Sequence, residues 1–314
     1  MLRLGYTEEM KMTTCNAVVC DDGKTIIMVA DKLIGVGYVQ SELKITKMRP
    51  IHKEWWMLFA GDDLTPVFDI VDYAKAGLDQ SSPMSVGEVQ EAVKVAFARK
   101  RMENAEALYL TPIGWDVSRF NAEGNALLPD FTHIKTKIED YSLPIELLVA
   151  GFDAGSGHIF TLYGSGETRG VPHRADIPGF ASIGSGAIAS MYMMYYRDLD
   201  SKTPAREAMF YALEGKYFAE QASGVGESTD LFIAQRGKEL IQVSDEHIIE
   251  EKLIPICYRL SPNRIQKRDR DVLNGIKELS EFPKLSSPKK RRRPKSKLKT
   301  KGESQKSPEN STVK

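Results

Sequence analysis

The sequence predicts an α+β protein in which two antiparallel sheets pack together and helices cover both outer faces. Three observations lead there. Apolar strand-like runs arrive in pairs joined by turn residues, helical periodicity also arrives in pairs, and the two kinds of pair alternate along the chain as ββ, αα, ββ, αα, ββ. A doubly wound parallel sheet would instead place single helices between strands. The first pair is Thr13–Cys20 and Thr25–Ala30, joined by Asp21-Asp22-Gly23, a tight-turn sequence. Another run, Trp55–Ala60, ends at Gly61. A helix is expected to open at Asp63 with Pro66 in its first turn and Val67, Ile70, Val71 and Ala74 on one face. A second should run from about Ser85 to the Glu103 region on a stripe of Val86, Val89, Val93 and Phe97. Leu147–Phe152 and His158–Tyr163 read as a hairpin around 153–157. A Met- and Tyr-rich helix follows Ser185, and another spans Pro204 to about Gln221. Leu231–Ala234 and Leu240–Val243 form a last hairpin, with further helix beyond Asp245.

Composition bounds the function classes. With 42% hydrophobic and 27% charged residues in 314, the chain can bury a full core. No apolar run approaches the roughly 20 residues a membrane helix needs, and the opening MLRLGYTEEMK does not have the pattern of a secretion signal. Cys15, Cys20 and Cys257 form no CxxC pair, so an intracellular, cytoplasmic setting is expected. The five histidines show no metal-ligand spacing, and neither metal nor organic cofactor is expected. The net charge of zero hides a division. Of 43 basic and 43 acidic residues, twelve and two lie in 284–314, leaving 31 and 41 in the rest. An acidic body thus carries a basic tail. Expected divisions are residues 1–12 as a propeptide or upstream start, 13–282 as the folded domain, and 283–314 as a tail without apolar periodicity.

The stretch TTCNAVVCDDG…IIMVAD resembles the opening of proteasome β subunits and of their bacterial ring-protease relatives. The similarity continues through Leu43-Lys44-Ile45, Phe59-Ala60-Gly61-Asp62, the 147–153 run LLVAGFD, Ile183-Gly184-Ser185-Gly186 and Glu220-Gln221-Ala222-Ser223-Gly224. These blocks keep the family's order and span roughly Thr13 to Gln235. The resemblance implies an N-terminal-nucleophile (Ntn) hydrolase with a four-layer αββα sandwich. It implies a threonine-type endopeptidase working as a homo-oligomeric ring on peptide or unfolded protein, fed by an ATP-driven unfoldase.

The chemistry explains the residue types. A hydroxyl of ordinary pKa is a weak nucleophile, and an N-terminal threonine supplies its own base because a free α-amine titrates near ~8. By resemblance Thr13 is the nucleophile, and Asp31 and Lys44 stand beside it. The Gly61 N–H serves as oxyanion donor, Ser185, Glu220 and Ser223 complete the relay, and Phe59 and Asp63 line the substrate pocket. Three departures stand out: Glu220 replaces the family's Asp, the Asp31-to-Lys44 interval is a few residues short, and the first hairpin is long. Counting back from Asp31 without a gap points to Cys15, whereas aligning Thr-Thr points to Thr13, which is favoured. Activity requires that residues 1–12 be absent or removed; a start at Met12 followed by loss of that Met would free Thr13.

Competing readings stay open at this level. A small-amide hydrolase or acylase would keep the fold and nucleophile. A noncatalytic structural or nucleic-acid-associated subunit would use the basic tail instead. The tail segment 288–295, PKKRRRPK, suits nuclear import in a nucleated host, nucleic acid or an acidic protein surface. A phosphate-binding reading of Gly184-Ser185-Gly186 is disfavoured, because GSG recurs at 155–157 and 164–166 as ordinary turns and the GxxxxGK[ST] pattern is missing.

Overall fold

A strand buried on both faces can be apolar throughout, and alternation then decides which core each side chain joins. The computed structural model describes residues 13–36, 39–42, 46–61, 63–220 and 225–243, and within them this rule organises the molecule. The strands are β1 (Cys15–Cys20), β2 (Thr25–Asp31), β3 (Leu33–Val36), β4 (Val39–Glu42), β5 (Met48–His52), β6 (Trp55–Gly61), β7 (Ile145–Phe152), β8 (Gly157–Tyr163), β9 (Pro172–Arg174), β10 (Phe180–Ile183), β11 (Thr229–Gln235) and β12 (Ile241–Val243). The helices are α1 (Thr65–Ala76), α2 (Val86–Tyr109), α3 (Val117–Leu127), α4 (Phe131–Asp140), α5 (Ala187–Tyr196) and α6 (Ala205–Ala219).

One five-stranded sheet runs β10-β1-β2-β11-β12 and another β5-β6-β7-β8-β9, with β3 and β4 forming a separate ribbon. Every pairing is antiparallel. Three apolar layers follow from the alternation. Ala17 and Val19, Ile26 and Met28, and Phe232 and Ala234 meet Trp56, Leu58, Leu148 and Ala150 between the sheets. Val18, Ile27, Val29, Leu231 and Ile233 point the other way, onto Met194 of α5 and Ala208, Met209 and Leu213 of α6. Trp55, Met57, Phe59, Leu147 and Val149 meet Val67, Ile70, Val89, Val93 and Phe97 of α1 and α2. Two antiparallel sheets packed face to face, with helices on both outer faces, are therefore present as expected. Trp55 and Trp56 belong to different cores, and neither reaches the surface.

The apolar stripes expected for α1 and α2 are the ones buried. Ser85 accepts from the Glu88 N–H while the Glu88 carboxylate accepts from the Ser85 N–H, a reciprocal cap that starts α2. Helix α1 opens at Thr65 rather than Asp63, because the Asp63 carboxylate accepts from the Thr65 N–H at 2.9 Å and sits outside the helix. The turn after β1 carries positive φ at Asp21, Asp22 and Gly23, and the Asp21 carboxylate accepts from the Ala205 N–H at 3.0 Å at the start of α6. The expected helix beyond Asp245, residues 1–12 and the basic tail lie outside the described residues.

Candidate active site

The start of β1, the end of β2 and the start of β5 converge because β1 pairs with β2, while the sheet containing β6 stacks across them. The thiol of Cys15 donates to the Phe59 carbonyl at 3.5 Å, tying β1 to β6. Thr14 and Asp31 extend the β1–β2 ladder through a bond from the Asp31 N–H to the Thr14 carbonyl at 3.1 Å. Lys47 enters just before β5, its carbonyl accepting from the Phe59 N–H at 3.3 Å.

These placements build an ion pair around Thr13. The Lys47 ammonium donates to Thr13 Oγ1 at 2.8 Å and to the two Asp31 oxygens at 2.9 and 3.0 Å. Lys47 is 1% exposed and Asp31 is fully buried. Such a pair survives burial only if further hydrogen bonds satisfy the carboxylate. Asp31 has them, from the N–H groups of Thr14 (3.0 Å), Leu33 (3.2 Å) and Gly226 (3.3 Å). The Thr13 backbone nitrogen donates to Ser185 Oγ at 3.1 Å. The hydroxyl and the backbone nitrogen of one residue are thus each held by a separate partner.

Among the described residues the lysine beside Thr13 is Lys47, three positions after the expected Lys44. Lys44 itself lies outside the described residues. The signal was present in the sequence. An Asp31–Lys44 interval that looks too short becomes three residues longer when counted to Lys47.

Of the other expected residues, Ser185 meets Thr13, but it is not the cap of α5. That position is Gly186, without a side-chain cap. Gly61 ends β6, half-buried, two residues past the carbonyl that holds Cys15. Glu220 lies just beyond α6 and is paired with Lys216 rather than with Thr13. Ser223 lies outside the described residues. Phe59 is corrected: it is fully buried in the sheet–helix core, because strand alternation turns it toward α1 with Trp55 and Met57. The aromatic surface on that side is Phe68, 44% exposed, whose ring meets Phe59 edge-on at 6.5 Å and lies 5.6 Å from the Arg49 guanidinium. Asp63 is exposed and engaged in its turn.

Cys15 is fully buried between the sheets, and desolvation pushes its thiol far above the ordinary range. A thiol that stays protonated at neutral pH is a poor nucleophile. Its burial therefore counts against Cys15 as a nucleophile.

Sequence reasoning missed Glu146 and gave Gly184 no role at Thr13. The Gly184 N–H donates to Glu146 Oε2 at 2.7 Å, fixing the loop before α5. Gly184 has φ +88°, and a Cβ there would collide with the Thr13 carbonyl. Gly184→Ala should therefore displace Thr13 and lower the rate of any Thr13 chemistry at least about tenfold. Its check is the labelling rate of Thr13, measured beside a melting curve.

No protein-family model matches the chain, and no curated protein matches it.

Proposed function

We propose that the chain is an Ntn-type threonine peptidase whose nucleophile is Thr13 Oγ1. The observation that carries this reading is the Lys47 ammonium on Thr13 Oγ1 at 2.8 Å, itself clamped by Asp31. Accepting from Lys47 leaves the hydroxyl proton free to go elsewhere. In a chain that begins at Thr13, the α-amine takes that proton, directly or through one water. The Oγ1–carbonyl bond forms, the scissile C–N bond breaks, and the departing amine leaves with the proton. Water then attacks the ester and releases the acid, restoring hydroxyl and amine. Lys47 favours the developing alkoxide electrostatically, and Asp31 holds the ammonium aimed at Thr13 Oγ1. The Gly61 N–H is the proposed oxyanion donor. Peptide or unfolded protein as substrate, assembly into rings and delivery by an ATP-driven unfoldase belong to the same proposal and come from the sequence resemblance. The aromatic face of α5, where Tyr192 and Tyr196 are 70% and 63% exposed, is consistent with self-association.

The test is covalent labelling with a peptide epoxyketone, which needs both the hydroxyl and the free amine of an N-terminal residue. Protein beginning at Thr13 should gain one adduct, located on Thr13 by mass spectrometry. Protein beginning at Met1 and the Thr13→Ala variant should gain none, while Cys15→Ala should label within about twofold of the parent. An adduct on Cys15, or none on Thr13, would sink the reading.

A further inference from the structure

Resting on that reading, we infer that Lys216 is a positioning residue for the Thr13 site, holding Glu220 ionised and locking the chain segment that feeds a hydrogen bond to Asp31. Lys216 is buried in α6, 1% exposed, where a lysine is seldom found without a specific partner. One helical turn on, its ammonium donates to Glu220 Oε1, and it also donates to the Glu227 carbonyl at 2.7 Å. The residue before Glu227 is Gly226, whose N–H donates to Asp31 Oδ2 at 3.3 Å. A single ammonium thus joins the end of α6 to the loop that supports the Asp31 carboxylate. On the other side, the last residue of α6, Ala219, lies against Gly186, where an added Cβ would come within 2.9 Å of it. Gly186 in turn donates to the Thr13 carbonyl at 3.1 Å. Two buried lysine–carboxylate pairs, Lys47–Asp31 and Lys216–Glu220, are therefore linked through residues 226–227.

The charges facing Glu220 come from several elements. Among the described residues they are Lys216 of α6, Glu227 in the loop before β11 and Asp31 at the end of β2, with Lys47 from the approach to β5 paired with Asp31. Burial raises the Glu220 carboxyl above its ordinary range, and the two carboxylates push in the same direction. Lys216 opposes them, so it is the group that keeps a carboxylate here. An ionised Glu220 adds negative charge on the Asp31 side of the site, and so to the field around the Lys47 ammonium and Thr13 Oγ1.

The test is the pH dependence of Thr13 labelling by the epoxyketone in chain beginning at Thr13. The Thr13 α-amine gives every variant an acid limb near ~8. Glu220 adds a second below it, and because removing a positive charge raises a neighbouring carboxyl, Lys216→Met should move that second limb upward by about 1–3 pH units. Lys216→Arg keeps the cation and should hold the limb within about half a unit of the parent. Lys216→Met/Glu220→Gln should lose the displaced limb and match Glu220→Gln. A uniform loss of rate at every pH in Lys216→Met would mean that Lys216 only supports packing, and the inference would fall while Thr13 chemistry stood. If Lys216→Met does not fold, Lys216→Arg and Glu220→Gln decide. A second parental limb, below that of the α-amine, that Glu220→Gln leaves in place overturns the inference, and one that it removes while Lys216→Arg preserves it supports it. Failure of the parent itself to label at Thr13 defeats the peptidase reading and this inference with it.

Discussion

Lys47→Met should lower the rate of Thr13 labelling by about 10²–10⁴-fold, while Lys44→Met should leave it within about twofold. The contrast follows from geometry. Among the described residues, Lys47 is the lysine that reaches Thr13 Oγ1, at 2.8 Å, and it does so from a position with 1% exposure. Among the described residues, removing the ammonium withdraws the positive charge next to the hydroxyl and takes away the counter-ion of the buried Asp31. Labelling rates measured side by side at one pH give the answer. Equal rates in the two variants would show that the ammonium near Thr13 has no part in the chemistry. Lys47→Arg is not expected to rescue, because a larger, rigid guanidinium cannot occupy the fully packed position of the compact ammonium without moving Thr13 or Asp31.

Asp31→Ala should be the most destabilising single change at the site, costing about 3–5 kcal/mol, because it strands the buried Lys47 charge. It also leaves the N–H groups of Thr14, Leu33 and Gly226 without the oxygens they donate to. Equilibrium denaturation of the variant against the parent measures this directly. The double variant Asp31→Ala/Lys47→Met should recover part of the loss, since it removes the unpaired charge but not the orphaned N–H groups. If Asp31→Ala unfolded with parental stability, the buried pair as described would be wrong. Labelling of Thr13 should fall in both variants, so stability and reactivity separate the structural role of Asp31 from the chemical role of Lys47.

Much of the scaffold was legible because both sheets are covered on both faces. Strands such as Cys15–Cys20, Thr25–Asp31 and Ile145–Phe152 are mostly apolar runs, interrupted by Asn16 and Glu146 and closed by Asp or Gly turns, and that signal is local. The stripes of α1 and α2 were visible for the same reason. Less visible were β10, only four residues long, and α3 and α4, which bury little: α4 contributes Ile138 to a small satellite core. Short strands and mostly exposed helices carry weak periodicity, so packing rather than pattern sets their limits.

The sequence by itself determined the layering, because a two-residue alternation in doubly covered strands assigns every side chain to one core or the other without reference to distant residues. It also marked Thr13, Asp31 and Ser185 as residues to watch. Only the tertiary structure decided which lysine pairs with Asp31, that Phe59 belongs to the core and that Lys216 accompanies Glu220. Each of these depends on where separate elements converge: β1, β2 and the approach to β5 for Lys47, the stack of β6 on α1 for Phe59, and α6 with the loop before β11 for Lys216. Charge pairing acts through a few ångströms of space, and residues brought that close here stand 16 or 195 positions apart in the chain.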